Sequence, residues 1–254
     1  MIRLSVNLNK IALIRNSRGG NEPSVTDFAR IAIAAGAHGI TVHPRPDQRH
    51  IRPSDVFELA GLIEETPGIE FNVEGNPFAG AEGTYPGFLY LVEESRPHQA
   101  TLVPDAPGQL TSDHGFDLRR SGARLEPVVC RLKERGIRVS LFLDPDLEQI
   151  RLAREVGADR VELYTGPWAV AFPDPARREA LFRCYEEAAQ AAAEAGLGVN
   201  AGHDLNLHNL ERFRALPHLL EVSIGHALTV DALRLGMARA VRAYLEVLAG
   251  GKAP

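Results

Sequence analysis

Eight short apolar stretches alternate with eight longer amphipathic ones, glycines mark the joints where helix gives way to strand, and no hairpin signal separates any two strands. Together these observations predict an α/β protein with a (β/α)8 barrel (TIM barrel) fold, a single domain over residues 1–254 with additional helices and loops at the C-terminal face. Strands joined through helices pair in parallel, because a parallel neighbour needs a crossover connection. Eight units close a barrel better than they fill an open doubly wound sheet, and 254 residues is the size of one such domain. The open-sheet alternative requires Gly-x-Gly-x-x-Gly after the first strand, where this chain reads Asn7-Leu8-Asn9-Lys10.

Taken in order, runs of apolar and β-branched residues predict strands at 2–7, 39–43, 69–73, 99–103, 137–143, 159–163, 197–200 and 220–224. Helical periodicity falls between them, near 24–36, 53–65, 86–95, 118–135, 146–156, 175–195, 207–215 and 227–249. Ser24 and Ser54 stand where the first two helices need N-caps. Gly36, Gly136, Gly157 and Gly196 stand where a helix must end in a left-handed residue. The second strand stops at Pro44 and Pro46, which have no N–H for a sheet ladder. Two glycine- and proline-rich segments, 75–86 and 104–117, leave the C-terminal ends of strands three and four, where barrel enzymes carry active-site loops.

Composition narrows the function classes. A net charge of -5 gives no support for nucleic-acid binding. Lysine occurs only at 10, 133 and 252, so the positive charge is nearly all arginine, which suits bidentate phosphate contacts. Cys130 and Cys184 lie far apart, without metal or redox spacing, and read as reduced thiols. There is no apolar run long enough for a membrane span, and the N-terminus is too short and polar for a signal peptide. A cytoplasmic protein without nucleic-acid or membrane partners is expected.

Polar residues at the strand ends must converge on one mouth of the barrel, while the strand interiors are expected to be packed and poor in charge. Strand one is followed by Asn7, Asn9, Lys10 and Arg18, and strand two by His43, Arg45, Arg49 and His50. Strand three supplies Glu70 and Glu74; Asp144 follows strand five, and Glu162 lies in strand six. Strand seven ends in Asn200, His203 and Asp204, and strand eight in Ser223, Gly225 and His226. Such a set makes an acid/base site. Arg45 with His50 forms one cationic patch. Gly225, directly before a helix, forms a second anion site, since glycine lets backbone N–H groups approach an anion. Two patches imply one substrate with two phosphates or two phosphorylated substrates.

Three other readings compete. A Schiff-base aldolase needs a desolvated lysine, and Lys10 alone lies near a strand end. A metal-dependent epimerase or hydrolase would draw on His43, His203 and His226, but no His-x-His or His-Glu-x-x-His pair is present and arginines stand beside the site. The third is a non-catalytic barrel that binds phosphorylated metabolites.

The segments Val6–Ala12, Arg15–Gly19, Gly39–Arg45, Arg49–Ile51, Leu102–Pro104, Val199–His203 and Ile224–Ala227 resemble the pyridoxine 5′-phosphate synthase family, in collinear order from about residue 3 to 245. The resemblance implies a barrel with extra helices, assembled as a homo-octamer. It also implies condensation of 1-deoxy-D-xylulose 5-phosphate with 3-amino-2-oxopropyl phosphate, releasing phosphate and water without a metal or organic cofactor. By resemblance, His43 and Glu70 are proton acceptors, His203 is the proton donor and Glu162 stabilises transition-state charge. Asn7, Arg18, Asp204, Gly225 and His226 would hold the amino-ketone phosphate, and Asn9, Lys10, Arg45, His50 and Thr111 the deoxyxylulose phosphate. The chain departs from the family pattern in carrying Asn9-Lys10 for Asp-His, Asp204 for glycine, and a longer loop after strand three. An acidic Asp204 beside a phosphate is expected to offer only its backbone N–H.

Overall fold

The computed structural model describes residues 1–253. In chain order the elements are β1 (Arg3–Asn7), α1 (Asn9–Asn16), α2 (Val25–Ala34), β2 (Gly39–Val42), α3 (Pro53–Glu64), β3 (Glu70–Gly75), α4 (Phe88–Ser95) and β4 (Gln99–Leu102). They continue with α5 (Leu118–Lys133), β5 (Arg138–Leu143), α6 (Leu147–Glu155), β6 (Arg160–Tyr164), α7 (Gly166–Ala171), α8 (Pro175–Glu194) and β7 (Gly198–Gly202). The last are α9 (Leu207–Phe213), β8 (Leu219–Ile224), α10 (His226–Leu235) and α11 (Met237–Leu248). The eight strands close in sequence order into one barrel, and β1 pairs in parallel with both β2 and β8. The expected (β/α)8 architecture is what the chain adopts.

The joint glycines Gly36, Gly136, Gly157 and Gly196 all have positive φ, as a helix-ending role requires. Ser24 caps α2, its hydroxyl accepting from the Asp27 N–H. Ser54 does not cap α3: the helix begins at Pro53, and the Asp55 side chain accepts the Arg52 N–H at 2.7 Å instead. The expected helix 227–249 is two helices, because Gly236 at φ +82° breaks the chain direction between α10 and α11. Two helices escaped the periodic pattern. The buried face of α1 includes a charged residue, Arg15, and α7 has six residues beginning Gly166-Pro167.

Alternate strand residues face outward and build the core between barrel and helices: Val6, Ile40, Val73, Leu102, Leu141, Val161, Val199 and Val222 are fully buried. Each such side chain removed from water contributes roughly 1.5–3 kcal/mol. A cluster of Trp168, Phe182, Tyr185 and Phe213 joins α7, α8 and α9 in edge-on and tilted contacts.

The inward residues are not the charge-poor filling expected. Arg3, Glu70, Gln99, Arg138, Arg160 and Glu221 line the N-terminal end. Above them, Ser5 bonds Thr41 at 2.6 Å, Thr101 donates to Asn72 at 3.0 Å, and Arg160 donates to Asn200 at 3.1 Å. Polar groups inside a barrel are tolerable where they satisfy one another in this way. The two faces of each strand thus differ in polarity while both are buried. The apolar outer half made the strands legible, and the small Ser, Thr and Asn residues concealed the inner half.

Candidate active site

At the C-terminal mouth lies a cavity of about 420 Å³. Among the residues expected at the site, Asn7, Asn9, Lys10, His43, Arg45, His50, Thr111, Glu162, His203, Asp204, Gly225 and His226 all line it. Two do not. Glu70 opens β3 at the opposite end, where it pairs with Arg3 and Arg138. At a rise of about 3.3 Å per residue, four residues place it roughly 13 Å below Glu74, which does line the cavity. The proton-acceptor role implied for Glu70 is therefore corrected: from the N-terminal rim its carboxylate reaches no group in the mouth. Arg18 is exposed in the turn after α1 and lies outside the cavity lining.

The β1 end is a chain of amide contacts. Asn7 Oδ1 accepts the Asn9 N–H at 3.0 Å, and Asn9 Oδ1 accepts the His43 N–H at 2.8 Å, which ties β1 to the end of β2. Beyond His43 the second loop is held from α1. Arg15, 1% exposed, forks onto Asp55 and donates to the His50 carbonyl at 3.1 Å. Asn16 Nδ2 donates to the carbonyls of Gln48, Arg49 and His50. Neither side chain touches the cavity, yet both shape it.

His50 is not the cation expected. Its Nδ1 accepts the Ile51 N–H at 2.9 Å, and burial, then Arg45 and Arg49, push its pKa down to about 3, so the ring is neutral. Positive charge comes instead from Arg45, Arg49 and Lys10. Burial, followed by Arg49 and Arg45, lowers the Lys10 pKa. Burial, followed by Arg45 and His50, holds His43 well below the ordinary imidazole range. Bound phosphate would oppose each of the arginine effects by Coulomb's law.

Segment 104–117 crosses the mouth. Its Asp105 pairs with Arg45, and its Gln109 and Leu110 carbonyls each accept from Arg49 Nη2 at 2.7 Å. Thr111 Oγ1 lies 2.7 Å from His203 Nε2. The far end of the segment is anchored where the Gly115 N–H donates to Asp144 at 3.1 Å, which gives Asp144 a supporting position outside the cavity.

His203 and Asp204 both have positive φ, and this turn brings Asp204 Oδ2 to 2.9 Å from His203 Nδ1. The side chain of Asp204 is thus engaged by His203. A carboxylate only accepts, so Nδ1 carries the proton and, in the neutral ring, Nε2 accepts from Thr111. The His203 bond, ahead of the Lys10 and His226 charges, helps to hold the Asp204 carboxyl low.

Two carboxyl groups are raised. Burial, then Asp105, pushes Glu74 up to about 8. Burial, then Glu74 and Glu221, pushes Glu162 well above the carboxylate range. Glu162 packs against Gly202 so closely that a Cβ there would stand 2.2 Å from its Oε1, and its Oε2 has no protein partner. At the opposite wall Gly225 caps α10, and a Cβ on it would meet Asn7 at 3.1 Å. The open first turn of α10 beside this glycine is where backbone N–H groups face an anion. Sequence reasoning passed over Asp105 and left Glu74 and Arg49 without assigned roles; the parity of β3 (70, 72, 74 inward) was the available signal for Glu74.

Among the described residues, no group of three or more His, Cys, Asp and Glu side chains is arranged to hold a metal ion, and no helix is long and apolar enough to cross a membrane.

Several solved structures share the fold at low identity. The tryptophan synthase A-subunit of Pyrococcus furiosus superposes with a TM-score of 0.62 at 14% identity, covering 98% of this chain and 97% of that one. A phosphoribosylanthranilate isomerase from Thermotoga maritima gives 0.55 at 13%, covering 98% and 100%. Sequence relatives are much nearer. Pyridoxine 5′-phosphate synthase of Xanthomonas campestris pv. campestris is 57% identical over 249 residues, 98% of this chain and 96% of the relative. The enzyme of that name from Xylella fastidiosa is 53% identical over 247 residues, 97% and 94%. Residues 4–250 match the family described as pyridoxal phosphate biosynthesis protein PdxJ. With its barrel closed, its polar residues gathered at one mouth and near-full-length matches on both counts, the chain belongs to the PdxJ family of vitamin B6 biosynthesis enzymes.

Proposed function

We propose that this chain is a pyridoxine 5′-phosphate synthase, joining 1-deoxy-D-xylulose 5-phosphate to 3-amino-2-oxopropyl phosphate with release of phosphate and water. The observation that carries this reading is one cavity with two anion-accepting walls and a largely neutral acid/base set between them. One wall is Arg45, Arg49 and Lys10; the other is Gly225 with the first turn of α10, Asn7 and His226. The first takes the deoxyxylulose phosphate and the second the amino-ketone phosphate.

Between them, neutral His43 and His203 exchange protons with the intermediates, and Glu162 faces the charge that develops on the substrate. His203, with Nδ1–H fixed on Asp204, has Nε2 available once Thr111 yields it to the substrate. Each dehydration in the sequence delivers one proton to a departing hydroxyl and removes one from nitrogen or carbon, so a site whose groups cross neutrality serves both halves. Cytoplasmic location and assembly as a homo-octamer belong to the same proposal, supported by family membership.

The test is turnover with both substrates. Pyridoxine 5′-phosphate and inorganic phosphate should appear in equal amounts, and neither should appear with one substrate omitted. Tight binding of both phosphates without product would leave the non-catalytic barrel as the better reading. The lowered pKa of Lys10 favours one further possibility, an imine between its amine and a substrate carbonyl. Borohydride would then trap a covalent adduct on Lys10.

A further inference from the structure

We propose that Thr165 and Asn209 are positioning residues for the reaction: by holding three successive backbone carbonyls at the end of β7, they keep the His203 ring aimed into the cavity. The inference rests on the synthase reading for the role of His203, and on backbone geometry for the two residues that hold it.

β7 ends at Gly202 and passes directly into two left-handed residues, His203 at φ +82° and Asp204 at φ +59°. A Cβ makes this region unfavourable, and two such residues in succession persist only where the surroundings fix them. The turn places both the His203 ring and the Asp204 carboxylate on the cavity wall. A return of φ to negative values would re-aim the Cα–Cβ bond of His203, and the ring with it.

The turn is fixed from two sides. Thr165 stands at the N-cap of α7, yet its hydroxyl does not cap that helix. Fully buried, it turns to β7 instead. Its N–H donates to the Gly202 carbonyl at 3.0 Å. Its hydroxyl lies 2.7 Å from the same oxygen and also bonds the His203 carbonyl, one hydrogen shared between two acceptors. The next carbonyl, that of Asp204, accepts from Asn209 Nδ2 at 3.0 Å. Asn209 is itself buried and anchored. Its Oδ1 accepts the Asn206 N–H at 2.8 Å, and its carbonyl accepts Trp168 Nε1–H at 3.3 Å.

Neither Thr165 nor Asn209 lines the cavity, so each acts through His203. Asp204 at Nδ1, Thr111 at Nε2 and the edge-on Tyr164 ring at 5.4 Å set the tautomer and plane of the imidazole. The carbonyl clamp sets where its Cα stands. Contacts at the ring cannot aim it if the turn beneath is free, and a misplacement of about 1 Å costs about 10²-fold in rate.

Thr165→Val keeps the branched shape and removes the hydroxyl. It should lower kcat about 10–10²-fold, while KM for 1-deoxy-D-xylulose 5-phosphate, held at the opposite wall, changes less than about threefold. Thr165→Ser returns the hydroxyl and should recover kcat to within about threefold of wild type. Asn209→Asp tests the other side. It keeps the acceptor for the Asn206 N–H, at a helix N-terminus that favours a carboxylate, and removes the donor to Asp204. It should lower kcat about tenfold.

Nitrogen-15 NMR of the imidazoles in mildly alkaline buffer, with His203 assigned by its loss in His203→Asn, gives a readout independent of turnover. Wild type should show one protonated and one bare nitrogen, the pattern of a fixed Nδ1–H. Thr165→Val should move both signals towards the average of two exchanging tautomers, because Asp204 rides on the same turn. Near-normal kcat in both Thr165→Val and Asn209→Asp overturns the proposal. So does a fall in kcat with the His203 signals unmoved, or a Thr165→Ser variant no better than Thr165→Val. Altered His203 signals in a protein that makes no pyridoxine 5′-phosphate would support the clamp and count against the synthase reading alone.

Discussion

Glu70 and Glu74 stand four residues apart on the same strand and face the same interior, yet the two ends of the barrel hold them in opposite states. At the N-terminal end Glu70 lies between Arg3 and Arg138, whose pairing and hydrogen bonding outweigh its burial and lower its pKa. At the mouth Glu74 has neutral partners and acidic neighbours, and its pKa rises to about 8. The difference lies in the neighbours, since both belong to one pleat and one residue type. An arginine-rich rim turns inward carboxylates into structural ion pairs, while an arginine committed elsewhere, as Arg45 is to Asp105, leaves a carboxyl free to keep a proton.

The largest expected break in this contrast comes from behind the mouth. Arg15 and Asp55 form a buried pair at 1% and 4% side-chain exposure, and losing one partner of such a pair costs about 3–5 kcal/mol. Arg15→Ala should lower stability by that amount and, by releasing the His50 carbonyl, raise KM for the deoxyxylulose phosphate. Chemical denaturation together with substrate titration checks both. A stable variant with an unchanged KM would show that the loop does not depend on α1.

A smaller effect is expected at the other end. Glu70 and Arg138 are 20% and 26% exposed, so water screens their pair, and Arg3 remains beside Glu70. Arg138→Met should cost only about 1–3 kcal/mol, the buried-pair figure reduced for that exposure. kcat measured below the melting range should be unchanged. A large fall in kcat would mean that the rim communicates with the chemistry.

Smaller again is the effect of Asp204. Replacing it with glycine removes the acceptor for His203 Nδ1–H and frees the ring, with an expected fall in kcat of about tenfold, or ~1.4 kcal/mol in barrier. Asp204→Asn can still accept through its amide oxygen and should restore part of that loss. Equal activity in wild type, Asp204→Gly and Asp204→Asn would reduce the 2.9 Å contact to a surface bond.

These contrasts also explain what was legible in the chain. The outward apolar residues and joint glycines carry the barrel's periodicity, so the strands and most helices were readable. His43, Arg45 and His203 lie directly at strand ends beside proline or glycine, and the sequence marks them. The choice between Glu70 and Glu74 was not marked. Both have inward parity, and reading β3 to end at 73 instead of Gly75 left Glu74 outside the strand. What separates them is the identity of residues brought in from β1, β5 and the loop after β4, more than 25 positions away in sequence. The charge state of His50 was hidden in the same way, since its burial and the approach of Lys10 arise only in the folded chain.

The smallest change separates the two carboxyls most sharply. Glu70→Gln should leave kcat within about twofold, because the group reaches no atom of the pocket. Its signature should lie in stability against pH. A carboxyl lowered on folding stabilises the protein above its unfolded pKa, and that contribution is lost as pH falls through the lower folded value. Glu70→Gln should therefore flatten the acid side of a Tm–pH curve. Glu74 is raised, so the sign reverses: its contribution is fully present at acid pH and declines as pH rises from the ordinary carboxylate range to about 8. Glu74→Gln should accordingly remove a loss of stability on the neutral-to-alkaline side while abolishing most turnover. If instead Glu70→Gln abolished turnover and Glu74→Gln did not, the family's implied base would stand, and substrate binding would have to carry a proton path down the polar interior of the barrel to reach it.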